Sequence, residues 1–321
     1  MRIFITGATG FIGSNLVRIL SEDGHQISAL IRQSPRKPWA LRKIQTQVRI
    51  YSGNLLDFSS LSWILREEQP EIILHLGAIT KVGYSFTHPF EVLDINFIGT
   101  VNLAEAARRV LPELGMFLFA SSVEVYGFQV TREPFTEEMP PFPIAPYAVA
   151  KHSSEKYLQY LAKVYDFPAL ILRQSNTYGR RYDFYFVVEA FISAMLLDSK
   201  EVNFGRSEPV RNFIYIDDLT NLYRAILKQF HELHPGEIFN TGPPNGRSIG
   251  ELAEGIARLL DWSGKINWGT RELRPGEVPY LNTFNEKITE KIGWRPEIGL
   301  DVGLRKTIRK VKKGLKAQHL L

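Results

Sequence analysis

The chain has 321 residues, of which 44% are apolar and 23% charged, as in an ordinary globular protein. This length fits one large α/β unit, or a core domain with a smaller companion. There is no cysteine, which excludes disulfides, thiol nucleophiles and cysteine-ligated zinc. The sequence shows neither a signal-peptide pattern nor an apolar run of bilayer length. We therefore expect a cytoplasmic protein without membrane contacts, and we predict no metal ligands.

The formal net charge is +5, but the excess positive charge is concentrated near the C-terminus. After Asp301 there is no acidic residue, whereas seven basic residues follow: Arg305, Lys306, Arg309, Lys310, Lys312, Lys313 and Lys316. Without these seven residues the net charge falls from +5 to −2, so the body of the protein is not basic. We interpret the run as a solvated C-terminal helix or a frayed tail, and we expect no nucleic-acid partner.

The first predicted element is a strand containing Ile3 to Ile5, which leads into Gly7, Gly10 and Gly13. An amphipathic helical pattern follows at residues 15–20. In such a strand–turn–helix unit the glycines allow positive φ and let a diphosphate approach the backbone closely. The first helical turn offers free N–H groups and a positive dipole end to the anion. The N-terminus therefore predicts a dinucleotide-binding turn.

Strand and helix patterns alternate along the first half, which is typical of βαβ units. Strands are predicted at residues 2–5, 26–31, 48–51, 72–76, 116–120 and 169–173. Helices are predicted between them, including residues 61–68, 94–110 and 147–165. Beyond about residue 176 turn residues cluster, and the predicted helices are shorter, as at residues 217–227 and 249–260.

This order predicts an α/β fold with a Rossmann-type doubly wound parallel sheet and a smaller C-terminal domain. We assign residues 1–175 to the cofactor-binding domain, together with a later strand and helix from the C-terminal half. Residues 176–321 are assigned mostly to a substrate-binding domain.

The end of the fifth predicted strand carries Ser122 and, two residues later, Glu124. In open α/β sheets, ligands bind outside the carboxyl ends of the strands. If the backbone is extended here, the two side chains point to the same side. A hydroxyl and a carboxylate would then face one pocket.

The helix that begins near Pro146 places Tyr147 and Lys151 four residues apart, on one face. A lysine ammonium near a phenol favours the phenolate and so lowers the pKa of the tyrosine. An oxidised nicotinamide would add further positive charge. Such a tyrosine is usable as a general base near neutral pH.

Taken in order, these motifs resemble the extended short-chain dehydrogenases/reductases of the nucleotide-sugar epimerase/dehydratase group. The resemblance covers almost the whole chain. Besides the glycines and the Tyr147/Lys151 pair, it rests on residues 75–78, 96–102, 121–127, 173–180, 211–218 and 274–279.

The resemblance implies that Tyr147 takes the proton of the sugar 4-hydroxyl and that Ser122 shares a hydrogen bond to the 4-oxygen. Lys151 would hold the nicotinamide ribose and tune Tyr147. The implied cofactor-binding residues are Gly7, Thr9, Gly10, Phe11, Ile12, Gly13, Arg32, Asn54, Leu55, Leu76, Gly77, Ala78, Thr80, Tyr147 and Lys151.

A nucleotide-diphosphate sugar is the implied substrate. Asn176, Arg211 and Arg274 match positions that grip the substrate diphosphate, and an arginine fork suits phosphate oxygens. Glu277 matches an acidic position that binds the nucleotide ribose. Val82 is also assigned to the substrate site.

The second predicted strand ends in Arg32, with Arg36 and Lys37 close behind, where an acidic residue would bind the ribose 2′-hydroxyl. A guanidinium in place of the acid favours a 2′-phosphate, so we predict NADP over NAD. NAD remains the alternative, with Arg32 stacked on the adenine. Asn54 stands where the family often has an aspartate near the adenine.

Glu124 bears on the reaction. Family 4,6-dehydratases carry a glutamate at this position, which removes the C5 proton, whereas epimerases generally lack it. Some dehydratases also have an aspartate acid where Val123 stands here, which leaves the acid step open. We predict a 4,6-dehydratase that makes a 4-keto-6-deoxy sugar nucleotide. The alternatives are a 4-epimerase, an NADPH-dependent 4-keto-sugar reductase and a non-catalytic nucleotide-binding protein.

The resemblance also implies a homodimer in which the helices at residues 94–110 and 147–165 form a four-helix bundle across a two-fold axis. Both segments are rich in alanine and leucine, as close helix packing requires. The residues offered for this interface are Leu103, Ala104, Ala106, Ala107, Leu158, Leu161 and Ala162.

Overall fold

The computed structural model describes residues 1–32, 48–181, 183–270 and 275–321. Its strands are β1 (Arg2–Thr6), β2 (Gln26–Ile31), β3 (Val48–Ser52), β4 (Ile72–His75), β5 (Met116–Ser122), β6 (Ala169–Gln174), β7 (Asn176–Tyr178), β8 (Glu201–Asn203), β9 (Val210–Arg211), β10 (Phe213–Tyr215), β11 (Ile238–Asn240), β12 (Arg247–Ser248), β13 (Lys265–Asn267) and β14 (Tyr280–Leu281). The six strands predicted in the first half are therefore all present.

The α-helices of the described residues are α1 (Phe11–Glu22), α2 (Phe58–Glu68), α3 (Val82–Thr87), α4 (Pro89–Leu93), α5 (Gly99–Val110), α6 (Pro146–Tyr165), α7 (Val187–Leu197), α8 (Ile216–Gln229), α9 (Ile249–Leu260), α10 (Glu286–Ile292) and α11 (Leu300–Lys316). None of the helices in these ranges is long and apolar enough to cross a membrane. The single helix predicted at residues 94–110 is instead a π-helix, Asp94–Ile98, followed by α5.

The central sheet has seven strands in the order β11-β6-β5-β4-β1-β2-β3, and all neighbouring pairs are parallel. The predicted doubly wound α/β fold is thus confirmed. The outermost strand, β11, comes from the C-terminal half of the chain. Because parallel strands all end at one edge, this order brings the segments after β1, β2, β4 and β5 together.

Two apolar layers cover the sheet. One face packs against α1 and α8 through residues such as Leu16 and Leu222, and the other against α2, α5 and α6. The fully buried parallel strands explain the near-continuous apolar runs of β1 and β4. A third cluster joins α7, α9 and α11 in the C-terminal half.

The basic C-terminal segment is an ordered helix and not a frayed tail. On α11, the apolar side chains of Leu304, Ile308, Val311 and Leu315 are buried in the third cluster, while most basic side chains lie on the outer face. The apolar side chains, at helical spacing, stabilise this helix by packing against the protein. The net charge of the segment did not reveal this packing.

Candidate active site

A cavity of about 1130 Å³ lies at the carboxyl edge of the sheet. It runs from the glycine-rich turn, past the end of β5 and the start of α6, to β7 and α7. The sequence-predicted residues that line it are Gly7, Thr9, Gly10, Phe11, Ile12, Gly13, Arg32, Asn54, Leu55, Leu76, Gly77, Ala78, Thr80, Val82, Ser122, Glu124, Tyr147, Lys151 and Asn176.

The glycine-rich turn leaves no room for a side chain at Gly7 or Gly13. Gly7 has φ +72°, and a Cβ there would lie 2.7 Å from the carbonyl carbon of Leu76. A Cβ on Gly13 would lie 2.2 Å from the Gly7 oxygen, so the first turn of α1 packs directly on the loop. The α1 N-terminus thus opens, with no acidic residue in its first turn, onto the cavity. This bare backbone cradle fits the diphosphate of a dinucleotide.

The loop after β4 is fixed by Asn96, to which the sequence motif assigned no role. Its Oδ1 accepts a hydrogen bond from the Ile79 amide at 2.8 Å, and its Nδ2 donates to the Ile79 carbonyl at 2.9 Å. Asn96 lies buried in the π-helix that precedes α5. This clamp positions the loop residues that line the cofactor side of the cavity.

Ser122 and Glu124 do line one cavity, but not for the predicted reason. The extended backbone ends at Ser122, and Glu124 belongs to a 3₁₀ helix, Val123–Tyr126. The Ser122 hydroxyl caps this helix by accepting from the Glu124 amide at 3.2 Å. The tight turn, and not strand alternation, therefore places Glu124 and Ser122 on one cavity.

Tyr147 and Lys151 lie on the first two turns of α6, where Pro146 occupies the first turn. Burial raises the pKa of Tyr147, while a hydrogen bond with Ser122 acts in the opposite direction. The Lys151 Nζ donates to the Ala120 carbonyl at 2.7 Å. The Tyr147 pKa is thus shifted upward by burial, opposite to the predicted lowering. The positive charge of an oxidised nicotinamide, which belongs to the same prediction, would act against burial. Burial also lowers the pKa of Lys151, to about 7.

A buried ion pair, which the sequence analysis did not predict, joins β6 to the helix that carries Tyr147 and Lys151. Glu155, on α6, pairs with Arg173, on β6, at 2.8 Å, and both side chains are almost fully buried. The Ser121 hydroxyl donates to Glu155 at 2.5 Å. The pair therefore ties the end of β5 to the helix that carries Tyr147 and Lys151.

The predicted substrate residues do not all meet in the cavity. Val82 and Asn176 line it, whereas Arg211 and Glu277 are not among its lining residues. The buried Arg211 guanidinium donates to the carbonyls of Val210 and Val278, at 2.8 and 2.6 Å, which holds it beside β14. Arg274 lies outside the described residues.

The residues predicted to lie near the adenine follow β2 and β3. Arg32 is exposed at the end of β2, and the Asn54 Oδ1 accepts from the Leu56 amide at 3.1 Å, which closes a local turn. Arg36 and Lys37 lie outside the described residues.

Known proteins are similar to this chain in both sequence and architecture. The family model described as GDP-mannose 4,6 dehydratase matches residues 4–307. The chain is 31% identical to a dTDP-D-glucose 4,6-dehydratase of Bos taurus, over 96% of this chain and 87% of that protein.

Two solved structures are also similar. A UDP-glucose 4-epimerase of Thermotoga maritima, with UDP-glucose, has a TM-score of 0.88 and 29% identity over 98% of this chain and 100% of that one. A UDP-glucose 4-epimerase of Thermus thermophilus, in complex with NAD, has a TM-score of 0.86 and 27% identity, over 97% and 99% of the two chains. With its glycine cradle and its serine, tyrosine and lysine around one cavity, the chain belongs to the extended short-chain dehydrogenase/reductase family of nucleotide-sugar epimerases and dehydratases.

Proposed function

We propose that the protein is a nucleotide-sugar 4,6-dehydratase that makes a 4-keto-6-deoxy sugar nucleotide. One observation carries the choice of reaction: the Glu124 carboxylate lines the same cavity as Ser122 and Tyr147. A dehydratase needs a base at C5 beside the groups that handle the 4-oxygen, whereas a 4-epimerase needs no such base.

In the proposed reaction, Tyr147 removes the proton of the sugar 4-hydroxyl, and Ser122 holds the same oxygen by a hydrogen bond. A bound nicotinamide dinucleotide supplies a ring that takes up hydride from C4 and returns it to C6, and its oxidised form carries a positive charge. The 4-ketone acidifies the C5 proton, which Glu124 removes. Glu124 then passes this proton to the 6-hydroxyl, which leaves as water and gives the 5,6-alkene. Reduction at C6 is completed by protonation of C5 from solvent, while Tyr147 releases the proton that it took from the 4-hydroxyl.

The second candidate is 4-epimerisation. Val123 favours it, because this buried apolar side chain supplies no acid for the departing 6-hydroxyl. The similarity to UDP-glucose 4-epimerases points the same way.

Mass spectrometry of a nucleotide-sugar panel incubated with the enzyme separates the reactions. We expect one nucleotide-diphosphate hexose to lose 18 mass units without net consumption of the dinucleotide, since one water leaves and the hydride returns. An unchanged mass with a changed sugar contradicts dehydration and supports epimerisation. NADPH oxidation in step with product formation supports a 4-keto reductase, and no reaction supports a binding protein.

We also propose that the cofactor is NADP, bound through the exposed guanidinium of Arg32. The Arg32→Ala variant should lose about tenfold or more of its NADP affinity, because a charge-assisted bond to the 2′-phosphate is worth roughly 1.5–3 kcal/mol. Its NAD affinity should change little. Calorimetric titration of both cofactors into both proteins measures this, and tighter NAD binding by the unmodified protein contradicts the assignment.

We propose a homodimer, but the residues first offered for its interface are wrong. Leu103, Ala104, Ala106, Ala107, Leu158 and Leu161 are buried against the chain's own sheet, and Ala162 is also buried. Exposed apolar side chains on the π-helix and α6 remain for an interface, namely Ile98, Tyr160, Val164 and Tyr165.

Light scattering at micromolar concentration should give twice the mass of one chain. Val164→Asp should shift the mass toward one chain, because a carboxylate would be buried at the interface. The exposed Val302 on α11 offers the control Val302→Asp, which should leave the dimer intact. A monomer mass for the unmodified protein excludes the dimer.

A further inference from the structure

Arg180 brings a positive charge from the C-terminal half of the chain onto the glycine-rich turn. It follows β7, and its guanidinium carbon lies 4.2 Å from the ring centre of Phe11, the first residue of α1. The ring of Phe186 lies 3.8 Å away. Arg180 lines the same cavity as Gly10 and Phe11, so the charge is placed beside the predicted diphosphate cradle.

The neighbours of the guanidinium hold it without using all its donors. Its Nη1 donates to the Thr177 carbonyl at 2.6 Å and lies 3.6 Å from the Glu189 Oε2. The described residues offer no hydrogen-bond acceptor to Nε or Nη2. Because a guanidinium donates only in its own plane, its remaining donors lie at its edge, where a ligand would bind.

The buried carboxylate of Glu189 would disfavour an anion in the cavity unless a nearby cation offset its charge. The carboxylate is fully buried, lines the cavity, and accepts the amides of Gly179 and Arg180 at 2.8 and 2.9 Å through Oε1. Its Oε2 has no hydrogen-bond partner among the described residues. A buried negative charge at this place would repel a diphosphate unless a cation lay between them.

We propose that Arg180 binds the diphosphate of the dinucleotide together with the N-terminus of α1, so that the anion contacts both the helix N-terminus and a guanidinium. This inference rests on the assignment of the cavity to a nicotinamide dinucleotide. It gives the C-terminal half a direct part in cofactor binding, and not only in binding the sugar nucleotide.

The test compares ADP-ribose with adenosine in calorimetric titrations of nucleotide-free protein. Arg180→Met should weaken ADP-ribose binding by about tenfold or more, as the loss of one charge-assisted bond predicts, and leave adenosine unchanged. Arg180→Lys should lie between the two proteins, because it keeps the charge but not the planar fork. Arg18→Met is the matched control: it removes a charge from the exposed face of α1, where Arg18 pairs with Glu22, and should leave ADP-ribose binding unchanged.

Equal affinity of the Arg180→Met and unmodified proteins for ADP-ribose overturns the proposal. The double variant Arg180→Met/Glu189→Gln removes the buried carboxylate as well, which keeps the test valid if the single variant unfolds. It too should bind ADP-ribose weakly. If it binds like the unmodified protein, Arg180 only neutralises Glu189, and direct contact is overturned. If the unmodified protein fails to bind ADP-ribose, the cofactor assignment itself falls.

Discussion

Replacing Tyr147 by phenylalanine should lower kcat by roughly 10²–10⁴, the usual contribution of a general acid–base group. The hydroxyl of Tyr147 faces the cavity near Ser122, and burial raises its pKa. Removal of this oxygen takes away the group proposed to accept the proton of the sugar 4-hydroxyl. Dinucleotide affinity should stay within about twofold, since the ring and Lys151 remain. Steady-state kinetics and a cofactor titration give the two values.

Tyr126→Phe is the matched control for this change. Tyr126 is also buried near the end of β5, but its hydroxyl donates to Asn240 at 2.9 Å and does not line the cavity. Loss of that hydrogen bond should cost about 1 kcal/mol of folding stability. Its kcat should stay unchanged. A Tyr147→Phe enzyme that keeps kcat within tenfold would show that another group is the base.

The Glu124→Gln variant should make no 6-deoxy product, with a loss of roughly 10²–10⁴ in the dehydration rate. Glutamine preserves the shape of the side chain and its place in the 3₁₀ helix but cannot accept the C5 proton. Oxidation at C4 should survive, because Ser122, Tyr147 and Lys151 are unchanged. In deuterated water, NMR should show no exchange at C5.

Glu133→Gln serves as the control, because Glu133 is an exposed carboxylate outside the cavity. It should behave as the unmodified enzyme in both measurements. Should Glu124→Gln still release 6-deoxy product at the normal rate, Glu124 has a structural part only, and the 4-epimerase becomes the preferred reaction.

Local signals explain why the core of the fold was predictable. The apolar runs of β1 and β4 reflect burial on both faces of a parallel sheet. A side chain at Gly13 would collide with Gly7, six residues earlier, and one at Gly7 would collide with Leu76, at the end of the neighbouring strand β4. The α9 helix begins and ends as predicted, and its start carries a capping box formed by Ser248 and Glu251.

Features that depend on distant partners were not predictable from local patterns. A later strand was assigned to the cofactor-binding domain, but its place in the chain was not predicted. The three residues of β11 join the sheet through pairing with β6, about 70 residues earlier in the chain. The π-helix keeps an apolar pattern close to that of an α-helix, so periodicity did not reveal it. The resemblance assigns Arg211 to the substrate diphosphate, and this assignment stays a prediction. The hydrogen bonds of its guanidinium to the Val210 and Val278 carbonyls could not be predicted from the sequence.

The ion pair between Glu155 and Arg173 makes the catalytic half sensitive to acid. Burial alone would raise the pKa of Glu155, but hydrogen bonds from Arg173 and Ser121, with the His152 ring 3.5 Å away, hold it below its ordinary value. A carboxyl with a lowered pKa in the folded protein stabilises the fold fully above its ordinary pKa and loses this contribution as the pH falls through the lowered value. Once Glu155 is protonated, Arg173 remains charged and loses its buried counter-ion. Acid unfolding should therefore begin where β6 meets α6, and it should separate the end of β5 from Lys151 before the outer helices melt.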